Sequence, residues 1–296
     1  MNALLARFSG ARLHAIQQAA KWIVYSLLLI NWGFYIYEDW DRAVHTLNSS
    51  STVFEWGREF ATSIDEAAWF ILLLMFELET YMLADSAWTG WVSRTVHAVR
   101  IVCFVMIAHT VLAFAIAVND LEPTVPVLGV DSLCDIVDDD ISFVYNLDYT
   151  VVTADNCAAL GGNTTMYRVG SDPVVSTIEG LNLERDIAWS DLVEVVTWLL
   201  IIAAIELVVR LQERGITGGT TISVAGKIKI FLYLVLFGLA AYWGSLGHWL
   251  YSWDTFVWIA GFTAIEMNIQ EWRDEILEAH DPEPGGAAPE HEHYRR

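Results

Sequence analysis

Apolar residues along the chain gather in long runs divided by polar and acidic stretches. Six runs approach the roughly 20 residues needed to cross a hydrocarbon core. They fall at about 20–38, 65–84, 99–118, 192–211, 229–249 and 255–271. None contains proline, so each predicts an unbroken helix. The last is the weakest, because Thr263, Glu266 and Asn268 interrupt it. Residues 1–19 form a basic amphipathic stretch with Arg7 and Arg12 and no small-residue cleavage site, which predicts a retained cytoplasmic lead-in helix.

The even-numbered runs share a skeleton. Asp65, Glu194 and Asp254 are each followed four residues on by Trp69, Trp198 and Trp258, and eight residues later by Glu77, Glu206 and Glu266. The odd runs open on a base, Lys21, Arg100 or Lys229, with an aromatic four residues on. The repeated unit is a two-helix hairpin used three times. The expected fold is an all-α integral membrane protein with six transmembrane helices in three pseudo-repeated hairpins. Helices 1–3 occupy residues 20–118 and helices 4–6 residues 191–272. Lys and Arg concentrate in the lead-in and in the loops after the second and fourth runs. That bias places both termini in the cytoplasm and the protein in the inner (cytoplasmic) membrane.

Between the third and fourth runs lies an acidic insert, residues 119–190. Its runs Ser142–Leu147, Tyr149–Ala154, Met166–Val169 and Val174–Ile178 have strand character and are divided by Asn, Asp and Gly turn signals. A small extracytoplasmic β-containing cap is expected there, with Cys134 and Cys157 as its disulfide. Residues 273–296 are rich in Pro, Gly, Glu and His and read as a disordered cytoplasmic tail.

Composition supports the membrane reading. The chain is 55% hydrophobic, holds 14 Trp and is only 18% charged, where soluble domains carry about a quarter. Its net charge of −21 excludes nucleic acid and docking on anionic headgroups. The expected partners are the bilayer, a cation or proton, and at the acidic insert a protein or a second copy of the chain. There is no Gly-rich phosphate loop, nucleophile elbow or zinc-spaced Cys pair, so neither an enzyme nor a cofactor is expected, and no metal ligand set is defined.

The chemistry rests on the repeated acids. Eight residues of helix carry each Glu about 12 Å past its Trp and turn it by roughly 80°. With Trp69, Trp198 and Trp258, and the acids Asp65, Glu194 and Asp254, anchoring the outer interface, Glu77, Glu206 and Glu266 would face the bundle and meet in one ring. Such a ring must share protons, hold a cation or find hydrogen-bond partners. His109 and Asn31 are the candidate partners, His109 as a further titrating group. The expected function is movement of cations or protons through this site. The alternative is a non-transporting scaffold or sensor whose glutamates are structural hydrogen-bonding groups, Arg210 neutralising Glu206 from one turn away.

Trp198–Arg210, ending Ile205-Glu206-Leu207-Val208-Val209-Arg210, resembles the second helix of voltage-sensor domains in cation channels. Asp65–Leu78 resembles it too, and Trp22–Trp32 is similar to a sensor's first helix. The resemblance implies that Glu77 or Glu206 holds the place of the acid that pairs with arginines of a moving fourth helix. No helix here carries a base at every third position, so it does not imply voltage gating.

Overall fold

The computed structural model describes residues 2–78, 90–128, 132–161, 164–214, 216 and 218–263. The chain is mostly helical with one small sheet. Helix α1 spans Asn2–Thr46, α2 Val53–Glu59, α3 Ala61–Glu77 and α4 Gly90–Leu121. After the insert come α6, Ile178–Glu213, α7, Thr220–Leu246, and α8, residues 249–263. The lead-in is thus continuous with the first apolar run in a single 45-residue helix. Helix α6 likewise begins well before its apolar run, inside the insert.

Two of the described helices, α4 and α7, are long and apolar enough to cross a membrane. They share one hydrophobic core with four others. Leu28 of α1, Ala68 of α3, Ile107 of α4, Ile201 of α6, Leu236 of α7 and Phe262 of α8 belong to the same buried cluster. Cys103 is buried in it as a free thiol.

The connections set the cap end of the bundle. Helix α2 starts on a capping box, the Thr52 hydroxyl accepting from the Glu55 amide while Glu55 accepts from the Thr52 amide at 2.6 Å. The α7–α8 joint turns on Gly247, at φ 91°, a left-handed position that costs a residue without Cβ little.

The insert contains the expected small sheet and disulfide. Strands β1 (Ser142–Tyr145), β2 (Asp148–Val151), β3 (Tyr167–Arg168) and β4 (Val174–Ser176) form one sheet in the order β2-β1-β4-β3. The outer pairs are antiparallel and the central β1–β4 pair is parallel. Asn146 and Leu147, both at positive φ, make the two-residue β1–β2 turn. A 3-10 helix, Leu133–Asp139, and the short α5, Cys157–Leu160, are joined by the Cys134–Cys157 disulfide above a core of Leu133, Phe143, Met166 and Val175.

The cap is tied to the helix ends by polar contacts. Arg185 of α6 donates to the Glu122 carbonyl (2.9 Å) and the Thr124 hydroxyl (2.6 Å) where the chain leaves α4. His45 of α1 meets the Ser142 hydroxyl at 2.8 Å and stacks on Tyr149. Asn146 donates to the carbonyl of Leu246 at the end of α7, at 3.0 Å.

The disulfide closes a loop with a sequence separation of 23, which by loop entropy contributes about 3 kcal/mol. The double variant Cys134→Ser, Cys157→Ser is expected to lose about that much unfolding free energy in a urea titration of the purified chain. An unchanged midpoint would mean that the cap's apolar core holds the loop unaided.

Candidate functional site

The acid and the Trp of each repeat lie one helical turn apart on the same face. In the structure all three pairs turn inward and line a single cavity of about 100 Å³ at the cap end of the bundle. Trp69, Trp198 and Trp258 are only 6%, 8% and 6% exposed, so they are not interface anchors facing headgroups. All three touch the ring of Phe262, with centroids 6.1, 5.2 and 6.0 Å away.

Five carboxylates line the cavity: Asp65, Glu66, Asp191, Glu194 and Asp254. They are held largely by donors that carry no acceptor of their own. The indole N–H of Trp69 donates to Asp65 (3.0 Å), that of Trp258 to Glu66 (3.1 Å) and that of Trp243 to Glu194 (2.9 Å). The other Glu194 oxygen accepts from the Thr255 hydroxyl at 3.0 Å. Asn31 of α1 donates to Asp254 at 2.7 Å, with Tyr35 alongside. One oxygen is left over. Oδ1 of Asp65 is buried without a hydrogen-bond partner among the described residues, the neighbouring Thr110 hydroxyl being turned to the carbonyls of Met106 and Ala61.

Arg42 is the one basic residue in the lining, and it is already engaged. Its guanidinium pairs with Asp39 at 2.7 Å and Glu59 at 3.3 Å and donates to the Glu59 carbonyl at 2.7 Å. Asp39 in turn accepts from the amide and hydroxyl of Ser63 at the start of α3. Five carboxylates thus share the cavity with one guanidinium, whose closest partners are Asp39 and Glu59.

A second cavity, about 130 Å³, lies between the cap and the helix ends. Arg42, Phe114, Leu147 and Asp191 line both. Glu184 and Asp172 line the outer one. Burial pushes the Glu184 carboxyl up to about 7, although the Leu147 amide donates to it at 3.1 Å. Burial, then the Glu59 carboxylate, pushes Asp172 up to about 6.

The predicted ring fares differently. The Glu206 side chain is 56% exposed and pairs with Arg210 of its own helix at 2.7 Å, so it does not face the bundle. Among the described residues no arginine of another helix is seen paired with it. The side chain of Glu77 and the whole of Glu266 lie outside the described residues. His109 is bonded to the Gly57 carbonyl at 3.0 Å and packs edge-on against Phe54, away from the carboxylates. Gly57 makes this approach possible, since a Cβ there would stand 3.2 Å from Nε2. Of the predicted partners, Asn31 does bond an acid of the repeat.

Sequence reasoning passed over Glu66, Asp191, Tyr35, Tyr251 and Trp243. Asp191 carried a signal, since three residues before Glu194 is the same helix face. Glu66 carried none, because its neighbour Asp65 already filled the repeat.

Glu184 gives the cap a pH dependence of defined sign. Its folded-state pKa stands above the ordinary 4.5, so the folded chain holds the proton longer and stability falls as pH rises from about 4.5 to about 7. Asp172 acts in the same direction over a lower window. The melting temperature of the purified chain is expected to be higher at pH 5 than at pH 8, with a smaller difference in Glu184→Gln. An identical difference in the variant would place the dependence elsewhere.

In comparison with known proteins, the chain matches no family model, no curated protein and no solved structure. The reading of the site rests on its own geometry.

Proposed function

We propose that the chain is a six-span membrane protein whose cap-end cavity takes up a cation or a proton from the cap side and passes it on. The membrane reading draws on the outward faces of α4 and α7. Ile101, Val102 and Val105 on α4 and Ile230, Phe231 and Leu234 on α7 are all exposed, an apolar surface suited to lipid rather than water. The four helices that share their core would cross with them, each satisfying its own backbone hydrogen bonds.

The observation that carries the functional reading is the convergence of all three acid–Trp pairs on one cavity where five carboxylates face a single arginine. Carboxylates gathered under an apolar layer mark cation and proton routes. Entry from the cap side would follow the residues common to the two cavities, past the paired guanidinium of Arg42. The scaffold reading draws on Glu194, both of whose oxygens are hydrogen-bonded as in a structural polar core.

Proteoliposomes separate the two. Cation or proton flux is expected in the wild type and is expected to fall at least tenfold in Asp65→Asn and Asp254→Asn at a melting temperature close to wild type. Glu206→Gln, on the exposed face, is expected to leave flux unchanged. No flux in the wild type, with each cavity variant melting lower, would make the cluster structural and favour the scaffold.

A further inference from the structure

We propose that the β1–β2 turn is a gate between the two cavities, with Leu147 as its plug and Glu184 as the latch that lets go when its carboxyl loses a proton. As a step on a route the gate rests on the transport reading. The opening itself is a property of the turn and is measured without flux.

The plug is marked by the residue chosen for it. A two-residue hairpin turn with both positions at positive φ ordinarily carries Asn-Gly, because glycine meets no penalty there. Here Asn146, at φ 58°, is followed by Leu147 at φ 63°. A bulky side chain in the left-handed region is strained, and such strain persists only where the surroundings hold it in place. What leucine supplies and glycine could not is a side chain, and Leu147 stands in the wall common to the inner and outer cavities.

The turn is held from two sides. Glu184 of α6, only 4% exposed, accepts from the Leu147 amide at 3.1 Å and from the Asn146 amide. Opposite, Asn146 donates to the Leu246 carbonyl at 3.0 Å, and its Oδ1 meets Nε2 of His248 at 3.2 Å, both at the α7–α8 joint. Strand β2, which follows the turn, is an edge strand, so the turn can swing without breaking the centre of the sheet.

The groups around Glu184 set the direction of the switch. From α1 it faces the Arg42 guanidinium, which is engaged with Asp39 and Glu59. Its charge reaches Tyr149 of β2, Tyr242 of α7 and Asp191 of its own helix. Asp172, Arg58, Glu59 and Asp120 share the outer cavity with it. Burial outweighs the pull of the two amides and of Arg42, and the carboxyl stands at about 7. In an open turn it is hydrated and returns to the ordinary 4.5. The closed turn is therefore favoured most below about 4.5 and loses that advantage as pH rises through about 7. Charging of His248 would act the other way, opening the joint in acid.

The test is hydrogen–deuterium exchange of the purified full-length chain, read by mass spectrometry at pH 5.5 and pH 7.5 and corrected for the intrinsic pH dependence of amide exchange. In the wild type, protection of the peptide spanning the turn is expected to fall about tenfold between the two, with protection in β4 unchanged. Glu184→Gln keeps an oxygen for the Leu147 amide but does not titrate, and is expected to abolish the fall. Asp172→Asn is expected to keep it. Wild-type protection independent of pH, or an undiminished fall in Glu184→Gln, would overturn the latch. A fall shared equally by the whole cap would do so too, since that is unfolding and not a gate. In proteoliposomes at pH 5.5, Leu147→Gly, which removes the plug and relieves the turn, is expected to pass several-fold more flux than the wild type. Equal flux from the two would overturn the plug. No flux from either, with exchange as expected, would overturn the transport reading and leave the opening standing.

Discussion

The bundle depends on hydrogen bonds from indole N–H groups to carboxylates. Acids set below the cap among apolar side chains need donors, and a donor that also accepts would add a further buried polar demand. Tryptophan escapes this, because its N–H donates while the rest of the ring behaves as core. Trp69, Trp243 and Trp258 each do both, bonding an acid on one edge and packing into the helical core or against Tyr251 on the other. The bonds from Trp258 to Glu66 and from Asn31 to Asp254 cross between helices, so the acids also hold α3 to α8 and α8 to α1.

Much of this was legible in the sequence and part of it was read from the wrong side. The repeat of acid and Trp four residues apart marked six residues that line the cavity, because that spacing fixes a shared helix face whatever the neighbours are. Which face looks inward was not fixed. The rotation of roughly 80° between each Trp and its later Glu holds in either orientation, and assigning Trp to the outer interface turned the pair around. With Trp198 inside, Glu206 swings to the exposed face, where Arg210 one turn on neutralises it. Glu66, Tyr251 and Trp243 were not legible, since they join the site only through helix–helix contacts that no local pattern encodes.

The insert was the more readable half. Its turn signals located all four strands and its two cysteines formed the bond their spacing allowed. What the sequence did not disclose is how closely the cap is joined to the helices. Arg185, His45 and Asn146 spread its contacts over α6 and the ends of α1 and α7. The outer cavity is consequently built from cap and bundle together, with Asp172 on one side and Glu184 on the other.

Helix α6 runs without a break from Ile178 to Glu213. It carries Glu184 in the outer cavity and Glu194 in the inner one, ten residues and therefore about 15 Å apart along a single axis. A helix that stiff behaves as a lever. Tilting it to make room at Glu194 also moves Glu184 against the β1–β2 turn, whose Leu147 amide it holds, so the two chambers cannot change shape independently.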